Sequence, residues 1–189
     1  MFIKRLDLTT HSDKILADLN HLIVNQPQLN TWQTMNQLAL TSQPTSVDIW
    51  SDGTGSLYDP RISGYRAHEI DFSQWNIDQS YYTRQQVELL ATTINQPLGR
   101  IRFMRLPPKT GLSVHKDAEV RYHLVLQTNP KAYIAHETIY HRPDSQLPTT
   151  STCYHMPQDN HWYEVDTRQV HWVYNGGSQE RIHLVVCGQ

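Results

Sequence analysis

The chain has 189 residues, with 16 Lys and Arg against 18 Asp and Glu, a formal net charge of −2 at pH 7. That length can bury a core without disulfide staples, and with no basic surplus to neutralise a phosphate backbone, nucleic acid is not expected as the main ligand. No apolar run approaches the roughly 20 residues of a membrane span. The opening Met1-Phe2-Ile3-Lys4-Arg5-Leu6-Asp7 lacks the apolar stretch of a signal peptide, and Cys153 and Cys187 are isolated, so a reducing cytoplasm is the expected compartment.

In chain order, a first helix follows Thr10 and Ser12, either of which could cap it. Ile15, Leu19, Leu22 and Ile23 recur at helical spacing until Pro27. From about Leu40 to Trp75 the composition is that of turns, and Ser51-Asp52-Gly53-Thr54-Gly55-Ser56 reads as a loop. It is not a phosphate loop, since no Gly-Lys-Ser/Thr ending follows. A second helix is predicted from the Thr83/Gln86 capping box and the stripe Val87, Leu90, Ala91 and Ile94, with Pro97 and Gly99 as its stop. Beyond Arg100 the pattern alternates with period two. Strands are predicted near 101–106, 112–116, 122–127, 132–140, 161–166, 170–174 and 182–186. Seven short strands with tight connections imply an antiparallel sandwich or barrel. The expected architecture is one α+β domain, mainly β, with helices on one sheet face. Residues 1–98 form a helical and irregular supporting part that shapes the substrate pocket.

The sharpest local feature is His115-Lys116-Asp117. On a strand, residues i and i+2 share a face, so an imidazole and a carboxylate are presented together. They make two thirds of the facial triad that holds non-haem Fe(II) and leaves positions open. The third ligand should be a His from a later strand, and His171 in Val170-His171-Trp172-Val173-Tyr174 is the best candidate. The alternative is a surface ion pair, or a His oriented by a neighbouring carboxylate. Arg181 lies ten residues beyond His171, across Asn175-Gly176-Gly177-Ser178, and a hairpin there would return it toward the same cavity. A guanidinium fork binds a carboxylate bidentately and stays charged when partly desolvated, which suits a cosubstrate ending in a carboxylate.

Arg105-Leu106-Pro107, His115-Lys116-Asp117, Arg121-Tyr122-His123-Leu124-Val125-Leu126, His171, Asn175 and Arg181-Ile182-His183-Leu184 together resemble the aspartyl/asparaginyl β-hydroxylase-like family over roughly Gly99 to Cys187. The resemblance implies a double-stranded β-helix (cupin or jelly-roll-like) core over residues 99–187 and an Fe(II)- and 2-oxoglutarate-dependent dioxygenase. It implies His115, Asp117 and His171 as iron ligands and catalytic centre, with Arg181 on the distal carboxylate of 2-oxoglutarate. Arg121 and His123 match a position facing that cosubstrate. The implied reaction is hydroxylation of a C–H with O2, releasing succinate and CO2; the substrate is an amino acid, a short peptide or a protein side chain. The family's usual Pro-Gly turn is replaced here by Pro107-Pro108-Lys109-Thr110-Gly111. A non-catalytic cupin-like module binding a metal and a small ligand is the alternative, and Arg181 is the residue such a module would not need.

Other residues read more plainly. Arg102 and Arg105 could hold a substrate carboxylate, but alternating charge on a solvated strand face is the ordinary expectation. His136-Glu137-Thr138-Ile139-Tyr140-His141 misses zinc-protease spacing by one residue. His155 and His161 should be solvent-exposed, and Trp162 and Trp172 should belong to the core or its walls.

Overall fold

The computed structural model describes residues 1–26, 30–138 and 150–188. In order come β1 (Ile3–Thr9), α1 (Ser12–Asn25), α2 (Asn30–Thr34), β2 (Gln37–Ala39), β3 (Thr41–Ser42), β4 (Tyr58–Asp59) and β5 (Gly64–Tyr65). A 3-10 turn (Glu69–Asp71), β6 (Gln74–Trp75) and α3 (Tyr82–Ile94) follow. The remaining strands are β7 (Leu98–Leu106), β8 (Thr110–His115), β9 (Arg121–Gln127), β10 (Ala132–Thr138), β11 (Thr150–Tyr154), β12 (His161–Val165), β13 (His171–Asn175) and β14 (Arg181–Gly188). Pro27, the far end of the predicted 132–140 strand, and His141 lie outside the described residues.

Two antiparallel sheets carry the architecture. The major sheet has the order β1-β12-β9-β14-β7-β2, and the minor sheet β11-β10-β13-β8. From β7 onward the chain passes back and forth between them, with β10 and β11 a successive pair in the minor sheet: β7, β9, β12 and β14 lie in the major sheet, while β8, β10, β11 and β13 lie in the minor one. That winding is a double-stranded β-helix, as expected. Period two assigns the two faces of the major sheet. Ile101, Phe103, Tyr122, Leu124, Leu126, Ile182, Leu184 and Val186 pack outward with Ile15, Leu19, Leu22, Val87 and Leu90 of α1 and α3. The inward set holds Leu106, Val125 and Val165, which meet Val173 and Ile134 of the minor sheet. The same inward parity carries Arg102 on β7, Arg121 and His123 on β9, and Arg181 and His183 on β14. An apolar outer face thus anchors the sheet, while its inner face supplies the polar groups.

Several local expectations are corrected. The first hundred residues are not only helix and loop, because β1 and β2 close the two edges of the major sheet by pairing with β12 and β7. Three-residue β2 is too short to show periodicity, and β1 pairs with β12, more than 150 residues away along the chain. Neither helix caps itself. α3 begins at Tyr82 with no side-chain cap, and the Thr83 N–H and hydroxyl both donate to Asp18 Oδ2 on α1 at 2.7 Å. The Ser12 N–H and hydroxyl of α1 likewise donate to Asn160 Oδ1, at 3.1 and 2.7 Å. Capping across tertiary contacts satisfies the same orphan amides as a local box would. Gly99 does not stop α3, which ends with Asn95 in the left-handed region (φ 51°). It lies inside β7, where a Cβ would come within 2.5 Å of the Glu69 Cβ. The Asn175–Ser178 turn is no hairpin either, since β13 and β14 belong to different sheets.

Candidate metal and cosubstrate site

His115 ends β8 and His171 begins β13, and the two residues are register partners across the minor sheet. Asp117 is not on the strand, contrary to expectation. β8 stops at His115, and the Asp117 N–H donates to the Thr167 carbonyl at 2.8 Å, turning the chain so that its carboxylate faces the imidazoles. One ligand atom from each of His115, Asp117 and His171 lies within 4.8 Å of the others. His171 Nε2 is 3.7 Å from Asp117 Oδ2, and the two ring centroids are 4.3 Å apart.

The hydrogen bonds around these groups decide which atoms face one another. His115 Nδ1 donates to the Ser113 carbonyl at 2.6 Å and His171 Nδ1 to the Gln169 carbonyl at 2.9 Å. A carbonyl only accepts, so both rings carry a proton on Nδ1, which in the neutral ring leaves the lone pair on Nε2. Burial pushes the His171 pKa down, with the neighbouring His115 acting in the same direction, so the imidazole is held neutral. Arg121 donates to Asp117 Oδ1 at 2.6 Å, which leaves Asp117 Oδ2 buried and without a partner. Two imidazole lone pairs and one carboxylate oxygen converge with their outer atoms already fixed, the donor set expected of a divalent first-row metal.

Buried polar atoms without partners gather here. Among the described residues they include Asp117 Oδ2, His123 Nε2, His183 Nε2 and Arg102 Nε, all on or beside the inner face. Arg181 is buried and has no carboxylate within ion-pair distance among the described residues. Its Nη2 donates to His183 Nδ1 at 3.2 Å, which lies 3.3 Å from His123 Nδ1. Desolvation lowers the Arg181 pKa to about 10. Burial, then the Arg181 and Arg121 charges, holds His123 well below its ordinary value; burial and Arg181 do the same to His183. Among the described residues no hydrogen bond or ion pair joins Arg181 to the triad; its side-chain neighbour is His183, which in turn lies beside His123. His183 was not singled out in the sequence; it shares the inward parity of Arg181, which was the available signal.

The remaining expectations sort simply. Trp162 is fully buried, and His155 is exposed with its Nδ1 donating to the Ala132 carbonyl. His161 is half-buried beside Arg5 and Asp159, not free in solvent. His136 stacks on Phe2 at 4.9 Å within β10. Arg105 clasps the Trp32 carbonyl, Asn36 and Glu180, whereas Arg102 is 2% exposed and far from a solvated face. In the Pro107–Gly111 turn, Lys109 takes the left-handed conformation (φ 59°) and donates its N–H to the Asn175 carbonyl.

The aspartyl/asparaginyl β-hydroxylase family model matches residues 9–188. The chain belongs to this family. A prolyl-4-hydroxylase from Pseudomonas putida superposes with a TM-score of 0.51 at 11% identity, covering 100% of this chain and 92% of that one, and shares its fold. A 2OG-Fe(II) oxygenase-family oxidoreductase from Burkholderia pseudomallei gives a TM-score of 0.41 at 14% identity, covering 56% of this chain and 52% of that one. The match therefore spans about half the length of that oxygenase. No curated protein matches the chain in sequence. No helix among the described residues is long and apolar enough to cross a membrane.

Proposed function

We propose that this chain, acting as one domain, is an Fe(II)- and 2-oxoglutarate-dependent dioxygenase that hydroxylates a C–H of an amino acid, free or within a peptide or protein, releasing succinate and CO2. The observation that carries the reading is the Asp117 carboxylate, with one oxygen held by Arg121 and the other buried without a partner, facing two Nε2 lone pairs. A surface ion pair would leave that second oxygen in water.

His115, Asp117 and His171 would hold the iron, which when bound supplies open positions where 2-oxoglutarate and O2 react. The protein's own part is positioning. The Ser113 and Gln169 carbonyls accept from both Nδ1 atoms and fix the ring orientations, so that Nε2 of each neutral imidazole would be the metal-binding atom. Arg121 fixes the carboxylate rotamer and balances its charge. Arg181 would take the distal carboxylate of the cosubstrate, for which it is desolvated beforehand; binding replaces an unpaired buried cation by a bidentate pair. His183 aims that guanidinium. His123, next along the inner face, would meet the cosubstrate nearer the metal. The outer face of Leu124, Leu184 and their neighbours against the helices keeps these strands from shifting.

The test is succinate formation with Fe(II), 2-oxoglutarate and air, across free amino acids and short peptides. Wild type should form succinate in step with hydroxylated product, and His171→Ala should form none. Equal succinate from both proteins would refute the proposal.

A further inference from the structure

A cavity of about 770 Å³ opens beside the triad, walled by His115, Asp117 and Arg121 on one side and by Arg100, Arg102 and Met104 on the other. Its cations differ in how they are used. Arg121 is paired with Asp117. Arg100 is saturated: its Nε and Nη2 grip the two Glu69 oxygens at 2.9 and 2.8 Å, while Nη1 donates to the Gly53 and Gly55 carbonyls at 2.7 and 3.1 Å. That pair braces the loop over the cavity. Arg102, two residues on, has the same inward parity but no carboxylate of its own, and feels the Glu69 charge only from beyond ion-pair distance.

Arg102 is 2% exposed and has no carboxylate within ion-pair distance among the described residues. Its Nη1 makes long contacts, 3.2 Å to Gln37 Oε1 and 3.4 Å to the Gly53 carbonyl, and Nη2 faces Cys187 Sγ at 3.7 Å. Its Nε is buried with no partner at all. Burial, and then the Arg100 charge, lowers its pKa to about 10, the same value that Arg181 reaches. The inner face thus holds two uncompensated guanidiniums. They share no partner, and the register places them apart. Arg102 lies opposite Val185 on β14, four residues from Arg181 on that strand, roughly 13 Å along it. One cosubstrate carboxylate can answer only one of them.

We infer that Arg102 is the anchor for a carboxylate of the primary substrate, which makes this enzyme specific for a small carboxylic acid, a free amino acid in the first instance. The inference rests on the dioxygenase reading for its context and deepens it. Two observations support a ligand here rather than a strut. The neighbouring Arg100 already does the bracing, with full hydrogen bonding. Arg102 also lines the cavity that the triad faces, so a substrate held by it would present its carbon skeleton toward the metal side. The carboxylate could be an α-carboxylate or a side-chain one; the guanidinium chemistry is shared.

The deciding experiment is calorimetric binding under nitrogen, with protein carrying Fe(II) and 2-oxoglutarate. The probes are the free L-amino acids, their α-amides, and asparagine and glutamine set against aspartate and glutamate. At least one acid should bind, with one of its amides roughly 30-fold weaker or worse, and which amide loses affinity identifies the carboxylate. Arg102→Gln should bind acid and amide alike while holding 2-oxoglutarate as wild type does, and Arg102→Lys should recover part of the preference. Acids and amides binding equally to wild type would overturn the inference, as would no acid binding at all. So would an Arg102→Gln protein that loses 2-oxoglutarate instead. If Arg102→Gln does not fold, the acid and amide comparison on wild type still decides. Failure of the dioxygenase reading is separate and visible: no succinate on admitting air, whatever binds.

Discussion

Arg181→Met should make the metal-free protein more stable and a worse enzyme. The Arg181 guanidinium has no acidic partner among the described residues, and burial lowers its pKa from the ordinary arginine range to about 10. Since a tenfold change in proton affinity is about 1.4 kcal/mol, holding the charge inside the barrel costs roughly 3 kcal/mol. Methionine fills much of the same volume and carries no charge. The variant forfeits the hydrogen bond to His183 Nδ1, a loss of about 1 kcal/mol. The balance is a gain of roughly 2 kcal/mol, which for a chain of this size raises Tm by about 4–8 °C. Cosubstrate binding moves the other way: removing one side of a buried charged pair costs about 2–5 kcal/mol, or roughly 30- to 4,000-fold in Kd for 2-oxoglutarate. Differential scanning calorimetry on metal-free protein and anaerobic titration with 2-oxoglutarate read the two effects separately. A less stable variant with unchanged 2-oxoglutarate affinity would refute the reasoning, because it would make Arg181 a structural brace. The opposed signs are those of a binding group held ready at the expense of the fold.

Arg121→Met should release Asp117 Oδ1 and weaken divalent metal binding by about 10- to 100-fold, read by Co(II) absorbance titration, with little change in fold. Asp18→Ala removes the only side-chain cap that α3 receives among the described residues, and should cost about 1–2 kcal/mol in urea unfolding. Stability should also fall with acid. His123 and His183 stay neutral in the fold well below pH 6.5, whereas the unfolded chain protonates them there. Their contribution is therefore complete above about pH 6.5 and is lost at up to roughly 2–3 kcal/mol per pH unit as pH drops below it. Equal stability of metal-free protein at pH 7 and pH 5.5 would contradict this.

The β core was legible because its strands obey period two over five to nine residues, and the double alternation in β9 and β14 writes both faces at once: Leu124 and Leu184 outward, His123 and His183 inward. That His115, Asp117 and His171 come together was legible because the three keep an order and spacing that few other chemistries require. What escaped the sequence depends on partners distant along the chain. The caps from Asp18 and Asn160 replace local ones, and Gly99 serves a close approach of Glu69 rather than a helix end. The short strand β2 exists only because β7 offers it an edge. Arg102 was misjudged for the same reason. Read with Arg105 as alternating charge on a solvated face, it is instead buried beside Arg100 when the 53–70 segment folds over β7, and only the coordinates show that Glu69 pairs with Arg100 and not with Arg102.

The most direct test of the metal and cosubstrate assignment is an anaerobic optical titration of the folded wild-type chain with Fe(II) followed by 2-oxoglutarate. The expected result is one iron per chain and a weak visible charge-transfer band on adding 2-oxoglutarate, absent from His171→Ala. A folded, iron-loaded wild type that gains no such band, or a band that survives in His171→Ala, would contradict it.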